Sequence, residues 1–291
     1  MEIGTAVVVG SGTMGRGIVN SFARGGHDVT LVSRDPSKVP PFDRDNIRVL
    51  DALPHMAPDF IIESVPEDID LKHALIAEIE ARYGHGPIIA TNTSSLPLEE
   101  MAARMAHPDR FIGVHYMQPA DALPLVEVIR AAATRDDVLE SVRAALLRNG
   151  QGALVLNRPV AGFLINRIQH AMMHEALAMI EDGLCTVEDI DAVVRRMLGP
   201  RMSITGLMLQ KDLSGLQTTA ATHRSVVPDL YHTRTPVKLL QDLVAAGHLG
   251  ASTGEGFYDW RGRDTEAYKR AAARKLARLL QYLEDDEPLP S

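Results

Sequence analysis

Two polar residues interrupt otherwise apolar runs in the stretch GVHYMQPADALPLVEVI, residues 113–129. His115 closes the first run, and Glu127 lies inside the second. An imidazole titrates near neutral pH, and a carboxylate that accepts a hydrogen bond from one ring nitrogen fixes the tautomer and stabilises the charged form. Such a pair could move a proton during a reaction. Taken alone, the same residues are also typical of a core histidine and an edge-strand charge.

A second group of residues suits the binding of phosphate. The glycine-rich GSGTMG, Gly10 to Gly15, follows the apolar run AVVV and precedes a helical pattern and a second apolar run, DVTLVS. This order is typical of a dinucleotide site, where glycines let the backbone approach a pyrophosphate and a helix N-terminus holds its charge. The alternative is a plain strand-to-helix turn. The predicted cofactor contacts here are Gly10, Gly12, Thr13, Met14 and Gly15.

The end of the second apolar run bears on the choice between NAD and NADP. A carboxylate at this place bonds the ribose 2′-hydroxyl of NAD, whereas arginine and small polar groups suit the 2′-phosphate of NADP. Ser33 stands where the acid is expected, Arg34 and Lys38 follow, and Asp35 comes two places late. The sequence therefore predicts NADP over NAD, with Ser33, Arg34 and Lys38 at the cofactor. The alternative is that they are solvated turn residues.

The elements that must position these residues alternate between strand and helix patterns. Further apolar runs typical of strands are IRVL from 47, FIIESV from 60, PIIAT from 87, RFIGVHY from 110 and LVEVI from 125. Helical patterns such as DLKHALIAEIEARYG and PLEEMAARMA separate several of them. This alternation predicts an α/β fold whose N-terminal part is a Rossmann-type, doubly wound parallel sheet.

The second half of the chain has helical spacing throughout. The run AGFLINRIQHAMMHEALAMIEDG is followed by TVEDIDAVVRRML, which opens with a Thr186/Asp189 capping-box pattern. Proline and glycine interrupt both patterns near NRPVAG, residues 157–162. We therefore predict a dinucleotide-binding domain at 1–157 and an all-α domain for substrate binding and dimerisation at 158–291.

Amino-acid composition indicates which classes of molecule the protein could bind. A 45% apolar fraction suits a globular protein, and a net charge of −8 without a long basic run makes a nucleic-acid partner unexpected. The single Cys185 excludes an internal disulfide. No apolar run reaches the roughly 20 residues of a membrane span, and a signal peptide is not evident, so we expect a cytoplasmic protein that binds small molecules. His170 and His174 have metal-compatible helical spacing, but no third ligand follows, and we predict no metal.

Six motifs in order resemble the L-3-hydroxyacyl-CoA dehydrogenase family. In chain order they read GSGTMGRGI, IIESVPEDIDLK, TNTSSLPL, RFIGVHYMQPADALPLVEVI, AGFLINRI and TGEGFYDW, and they extend over nearly the whole chain, from Gly10 to Trp260. The resemblance implies an NAD(P)-dependent oxidoreductase that interconverts 3-hydroxyacyl and 3-oxoacyl compounds. It also implies a homodimer formed through the helical domain.

The resemblance also assigns roles to individual residues. It implies that His115 is the catalytic acid/base, that Glu127 is its partner, and that Ser94 and Asn166 bind the oxygen of the substrate. Each of the last two residues has a structural alternative. Ser94 could cap a helix, although Ser95 is better placed to do so, and Asn166 could be a polar residue on a helix surface. Glu67 and Lys72 would contact the nicotinamide ribose side of the cofactor, and the alternative is that they are solvated charges at a helix start. Asn92 is a further predicted cofactor contact.

Three departures from the family concern the substrate. A long helical hairpin that normally reaches coenzyme A is replaced by the proline-rich RDPSKVPPFDRDNIRVLDALPHMAPD, for which we expect no long helix. Gln118 replaces an asparagine that supports the active site, and GPRMSITGLMLQKDLSGLQ alters the lining of the helical domain. A free 3-hydroxy acid or a carrier-bound acyl group is therefore an alternative substrate. A non-catalytic sensor or structural protein that binds NADP(H) is the alternative from another class.

Overall fold

The computed structural model describes residues 2–283. The chain separates into two units, Met1–Arg167 and Ile168–Ser291. The first unit contains the glycine loop and the His115/Glu127 segment. The predicted division between 157 and 158 stays a prediction.

Among the described residues, eight strands of the first unit form one sheet in the order β3-β2-β1-β4-β5-β6-β7-β8. All neighbours are parallel except β6 and β7, which are antiparallel. The strands are β1, Thr5–Val9; β2, Asp28–Val32; β3, Ile47–Leu50; β4, Phe60–Glu63; β5, Ile88–Thr91; β6, Phe111–His115; β7, Leu125–Arg130; and β8, Gly152–Leu156. The predicted doubly wound α/β sheet is confirmed.

Helices cover both faces of this sheet, which is why its strands are apolar in nearly every position. The helices are α1, Thr13–Arg24; α2, Ile69–Tyr83; α3, Leu98–Ala103; and α4, Asp136–Arg148. Alternate residues of β1 enter opposite clusters: Val8 packs with residues of α1 and α4, whereas Val7 packs with residues of α2 and α3. The sheet is therefore a rigid layer whose strand ends hold the polar residues.

The connection from β2 to β4 contains no long helix. It holds a three-residue 3₁₀ helix, Pro36–Lys38, and the short strand β3. This agrees with the expectation from its prolines. One strand was not predicted: β8, whose five residues are all half-buried at the end of the sheet.

Helices make up most of the second unit. After α5, Ile165–Glu181, which begins in the first unit, come α6, Val187–Val193; α7, Gly199–Thr205; α8, Leu207–Ser214; α9, Leu216–Val226; α10, Lys238–Ala245; and α11, Thr265–Leu283. The predicted capping box of Thr186 and Asp189 is present at the start of α6. A π-helix, Val194–Leu198, joins α6 to α7. Between residues 2 and 283 no helix combines the length and apolar character needed to cross a bilayer.

Candidate active site

The glycine loop joins β1 to α1 by a turn that other residues would obstruct. Gly10 has φ +116°, and a Cβ there would lie 2.4 Å from the backbone oxygen of Ser64. A Cβ on Gly15 would lie 1.8 Å from the carbonyl oxygen of Gly10. Helix α1 starts after Gly12 with no side-chain cap and no acidic residue in its first turn. Its first N–H groups and the positive end of its dipole therefore suit an anion such as a pyrophosphate.

A cleft of about 640 Å³ opens at the carboxyl ends of β1, β2 and β4. The predicted site residues that line it are Gly10, Gly12, Thr13, Met14, Ser33, Arg34, Glu67, Asn92 and Ser94. Gly15 lies behind this lining, buried within α1. The position agrees with the general rule that ligands of open α/β sheets bind outside the carboxyl ends of the strands.

The adenosine side of this cleft differs from the predicted arrangement. The Ser33 hydroxyl is 2.8 Å from the Ser11 hydroxyl, and the Lys38 ammonium is 2.9 Å from the Asp35 carboxylate. Lys38 is absent from the cleft lining, whereas Arg34 is part of it. The predicted contact of Lys38 with the cofactor therefore has no support in this geometry.

Asp51 also lines the cleft, and sequence analysis did not identify it. It follows β3, whose last residue Leu50 pairs with Val32 at the end of β2. Asp51 therefore lies next to Ser33 across the strand pair. The end of β2 lacks a carboxylate, but Asp51, after the neighbouring strand β3, places one in the same cleft. Only knowledge that β3 pairs with β2 could have predicted this position.

A buried ion pair lies beneath the cleft. Lys72 is 1% exposed, and its ammonium lies 2.8 Å from both carboxylate oxygens of Glu63 and 3.2 Å from Glu67. Thr91 also donates a hydrogen bond to Glu63. Lys72 is not among the residues that line the cleft, because burial and its two carboxylate partners hold the ammonium beneath it. Its predicted contact with the cofactor stays a prediction. Sequence analysis did not identify Glu63. The feature that could have indicated it is a single carboxylate within the apolar run FIIESV.

Glu67 connects that ion pair to Ser94. Its Oε1 accepts hydrogen bonds from the Thr93 hydroxyl at 2.5 Å, the Ser94 N–H at 2.9 Å and the Ser95 N–H at 3.1 Å. Burial alone would raise the pKa of Glu67, but the Thr93 hydrogen bond, the Lys72 charge and the Ser94 N–H lower it to about 2. Glu67 is therefore an anion that fixes the backbone of the TNTSS turn.

Neither serine of that turn caps α3. Its N-cap is Pro97 without a side-chain hydrogen bond, so the alternative role of helix capping, considered for Ser94 and Ser95, is not observed. Instead, the Thr93 hydroxyl accepts from the N–H groups of Ser95 and Leu96. Asn92 has both ends of its amide engaged, accepting from the Tyr116 N–H at 2.8 Å and donating to Ser64.

His115 and Glu127 are directly opposite each other on the antiparallel strands β6 and β7. The His115 Nδ1 is 2.7 Å from Glu127 Oε2, and both residues are 4% exposed. An ionised carboxylate can only accept, so Nδ1 carries the hydrogen and Nε2 is the nitrogen left to exchange a proton. The His115 ring also packs 5.3 Å from the ring of Phe163, centroid to centroid.

The other oxygen of Glu127 holds the start of α5. Its Oε1 accepts from the backbone N–H groups of Leu164 at 2.8 Å and Ile165 at 2.9 Å. Burial alone would raise the pKa of Glu127, but the hydrogen bonds from His115 and these two N–H groups keep it below its ordinary value. The carboxylate is thus ionised and fully coordinated by donors.

Two predicted substrate residues lie near this pair in sequence but not in its hydrogen-bond network. Asn166 follows Ile165 in the first turn of α5, and Gln118 is exposed in the loop after β6. Within residues 2–283, neither side chain forms a hydrogen bond, and neither lines the glycine-loop cleft. Their predicted roles stay predictions.

Comparison with known proteins covers nearly the whole chain. Residues 5–43 and 43–158 match a family model described as 3-hydroxyacyl-CoA dehydrogenase, NAD binding domain. Residues 162–260 match a model described as 3-hydroxyacyl-CoA dehydrogenase, C-terminal domain. A 3-hydroxybutyryl-CoA dehydrogenase from Clostridioides difficile is 32% identical, over 87% of this chain and 98% of its own.

Two solved structures resemble the chain to different degrees. A 5-formyl-3-hydroxy-2-methylpyridine 4-carboxylic acid 5-dehydrogenase, described as an NAD⁺-dependent dismutase, superposes with a TM-score of 0.92 at 26% identity, covering 98% of this chain and 100% of its own. The (S)-3-hydroxybutyryl-CoA dehydrogenase of Ralstonia eutropha has a TM-score of 0.70 at 28% identity, covering 89% and 99%. The chain is thus similar both to an enzyme named for a coenzyme A thioester and to one named for a free carboxylic acid.

Proposed function

The chain belongs to the 3-hydroxyacyl-CoA dehydrogenase family, and on that premise we propose that the residues described above form its catalytic site. The chain is an NAD(P)-dependent oxidoreductase that interconverts 3-hydroxyacyl and 3-oxoacyl compounds. The observation that carries the assignment of residues is the 2.7 Å contact between His115 and Glu127 in directly opposed register. This pair lies near the same edge of the sheet as the glycine loop.

The glycine loop fits a nicotinamide dinucleotide. Gly10 and Gly15 occupy positions where a Cβ would collide with backbone, and the uncapped start of α1 offers N–H groups to a pyrophosphate. Arg34, Asn92 and the other cleft residues would hold the remainder of the cofactor, which supplies hydride transfer when bound. Arg34 and Asp51 line the same cleft with opposite charges, and the balance between them sets the preference for NADP or NAD.

His115 moves the proton. Its Nδ1–H donates to Glu127, which leaves Nε2 to accept the hydroxyl proton of an alcohol or to return it to a ketone. Glu127 fixes the tautomer and stabilises the imidazolium that forms on proton uptake. Ser94, whose backbone is held by Glu67, would donate to the substrate oxygen, and Asn166 would bind the same group from α5.

The substrate has two candidates. A 3-hydroxyacyl thioester is the substrate class of the family. A CoA-free acid is favoured by one observation: the β2–β4 connection has no helix besides the three-residue 3₁₀ helix Pro36–Lys38, where the resemblance implies a helical hairpin that reaches coenzyme A. The high structural similarity to an enzyme named for a free pyridine carboxylic acid supports this second candidate.

Initial rates with four combinations test both candidates. NADH and NADPH oxidation are each followed with acetoacetyl-CoA and with a short 3-oxo ester that lacks coenzyme A. Turnover of the thioester alone supports the family substrate. Equal or faster turnover of the ester supports the CoA-free candidate, and no turnover of either with either cofactor contradicts the 3-oxoacyl chemistry.

A homodimer is the second part of the proposal. From residue 168 to residue 283, the only buried apolar residues are Leu177, Ala178 and Val237. A unit of this size needs a much larger buried core to be stable. A second copy of the chain would cover this surface, and sedimentation equilibrium would show a mass of two chains. A cytoplasmic location stays a prediction that cell fractionation would test.

A further inference from the structure

Three potential metal ligands converge away from the catalytic site. His85 lies between α2 and β5, and His107 and Asp109 precede β6. One ligand atom from each lies within 4.8 Å of the others. Because β5 and β6 are parallel neighbours, the two loops that enter them lie side by side at the amino edge of the sheet. The glycine loop and His115 lie toward the opposite, carboxyl edge.

The geometry within this cluster suits a cation. His85 Nε2 is 2.8 Å from Asp109 Oδ2, and the His85 side chain is 46% exposed, so solvent reaches it. The rings of His85 and His107 are 4.8 Å apart, centroid to centroid, at 69°. The backbone is also fixed, since the Glu80 carboxylate accepts the N–H groups of Ala106 and His107. The ligands are therefore held in place without a cation.

Two arginines lie near the Asp109 carboxylate. Arg135 is 3.5 Å from Asp109, yet its guanidinium is bonded in a fork to Asp137. Arg110 donates its Nε–H to the Pro87 carbonyl. Arg135 thus shares its charge between Asp137 and the Asp109 oxygen that also contacts His85, and a cation in this cluster would displace it from Asp109.

We propose that His85, His107 and Asp109 bind one divalent transition cation of the Zn²⁺ class. Two imidazole nitrogens and one carboxylate oxygen are a donor set that Zn²⁺ accepts, and water completes the tetrahedron. The cation takes the place of the hydrogen between His85 and Asp109. It ties the loop before β5 to the loop before β6 and acts on stability, not on the chemistry at His115.

Titration calorimetry of chelator-treated full-length protein with Zn²⁺ tests the proposal. We expect one ion per chain. Substitution of a residue that only hydrogen-bonds a metal ligand lowers metal affinity by at least about 10-fold. His85→Asn and His107→Asn each remove a ligand itself, so each should lower the affinity for Zn²⁺ by more than that. The matched control is His223→Asn, an exposed histidine on α9, which should bind as the wild type does. Zn²⁺ should also raise the unfolding temperature of the wild type and of the control, but not of the other two variants.

A measurement on the wild-type protein is independent of any effect that the substitutions have on folding. Addition of Zn²⁺ should shift the NMR signals of the His85 and His107 rings and leave that of His223 unchanged. Absence of binding at millimolar Zn²⁺ overturns the proposal. So does unchanged affinity in the His85→Asn/His107→Asn double variant, since the ion would then bind elsewhere.

Discussion

Lys72 Nζ is 2.8 Å from both carboxylate oxygens of Glu63, and both side chains are 1% exposed. The same ammonium lies 3.2 Å from Glu67, which accepts the backbone N–H of Ser94. A residue placed by family resemblance at the cofactor is therefore a buried support for the turn that carries Ser94. Lys72 is a positioning residue in this structure.

Removal of the Lys72 charge should destabilise the fold. Lys72→Met leaves Glu63 buried without its cation, which costs about 3–5 kcal/mol in comparable cases. Urea unfolding measures the change in free energy. Lys38→Met is the matched control, because Lys38 is 83% exposed in its pair with Asp35 and should matter little. A Lys72→Met protein as stable as the control would contradict a structural role for the ion pair.

His115→Ala should lower turnover by about 10²–10⁴-fold, the usual contribution of a positioned acid/base. Binding of the dinucleotide should be retained, because the histidine is not part of the glycine-loop cleft. Initial rates and NADH fluorescence measure the two properties separately. His223→Ala, at an exposed histidine of α9, serves as the control. Turnover that survives the change at His115 would rule out its acid/base role.

Glu127→Ala should affect turnover and stability together. The variant removes the partner of His115 and also the acceptor of the Leu164 and Ile165 N–H groups. Unsatisfied buried donors cost about 1–3 kcal/mol. The steady-state turnover rate and the free energy of unfolding, measured in urea, should therefore both be lower than in the wild type. If stability were unchanged, the carboxylate would not be the anchor of the first turn of α5.

Glu67 should contribute to acid sensitivity. Its pKa falls from 4.5 to about 2 in the folded state, so its stabilising contribution is complete above pH 4.5 and is lost as pH falls toward 2. Glu67→Gln lacks this contribution at every pH. The difference in unfolding free energy between wild type and variant should narrow between pH 4.5 and pH 2, as measured by urea unfolding in a pH series. A difference that is constant across the series would show that Glu67 is not ionised in these contacts.

Cofactor preference should follow the two charges at the adenosine side of the cleft. Arg34→Asp should lower kcat/KM for NADPH relative to NADH by about 10–100-fold, the scale of one charge-assisted hydrogen bond. Asp51→Asn should raise the same ratio, because a carboxylate repels a 2′-phosphate. Rates with both cofactors give the ratio. If neither variant moves it, the choice between NAD and NADP is made elsewhere.

The fold was largely predictable because its strands are apolar runs bounded by turns. The glycine loop and β1 were identified from their order alone, and the α/β class was confirmed. β8 was missed although its sequence, GALVL, is apolar after the glycine, because periodicity cannot distinguish so short an apolar run from part of a helix.

The site was less predictable where the orientation of a side chain depends on residues that are distant in sequence. Sequence could not show that Lys72 turns inward to Glu63, because a lysine at this place is also typical of a solvated helix start. It could not show that Thr93, and not Ser95, organises the TNTSS turn. Asp51 was missed because its position depends on which strand lies beside β2.

The antiparallel pairing of β6 with β7 makes the acid/base pair a local unit. Within an otherwise parallel sheet, this single reversal lets one hairpin, residues 111–130, carry both His115 and Glu127. Changes of length elsewhere, such as the short connection after β2, leave their spacing intact. The proposed acid/base pair can therefore be inherited as one contiguous segment while the residues around it diverge.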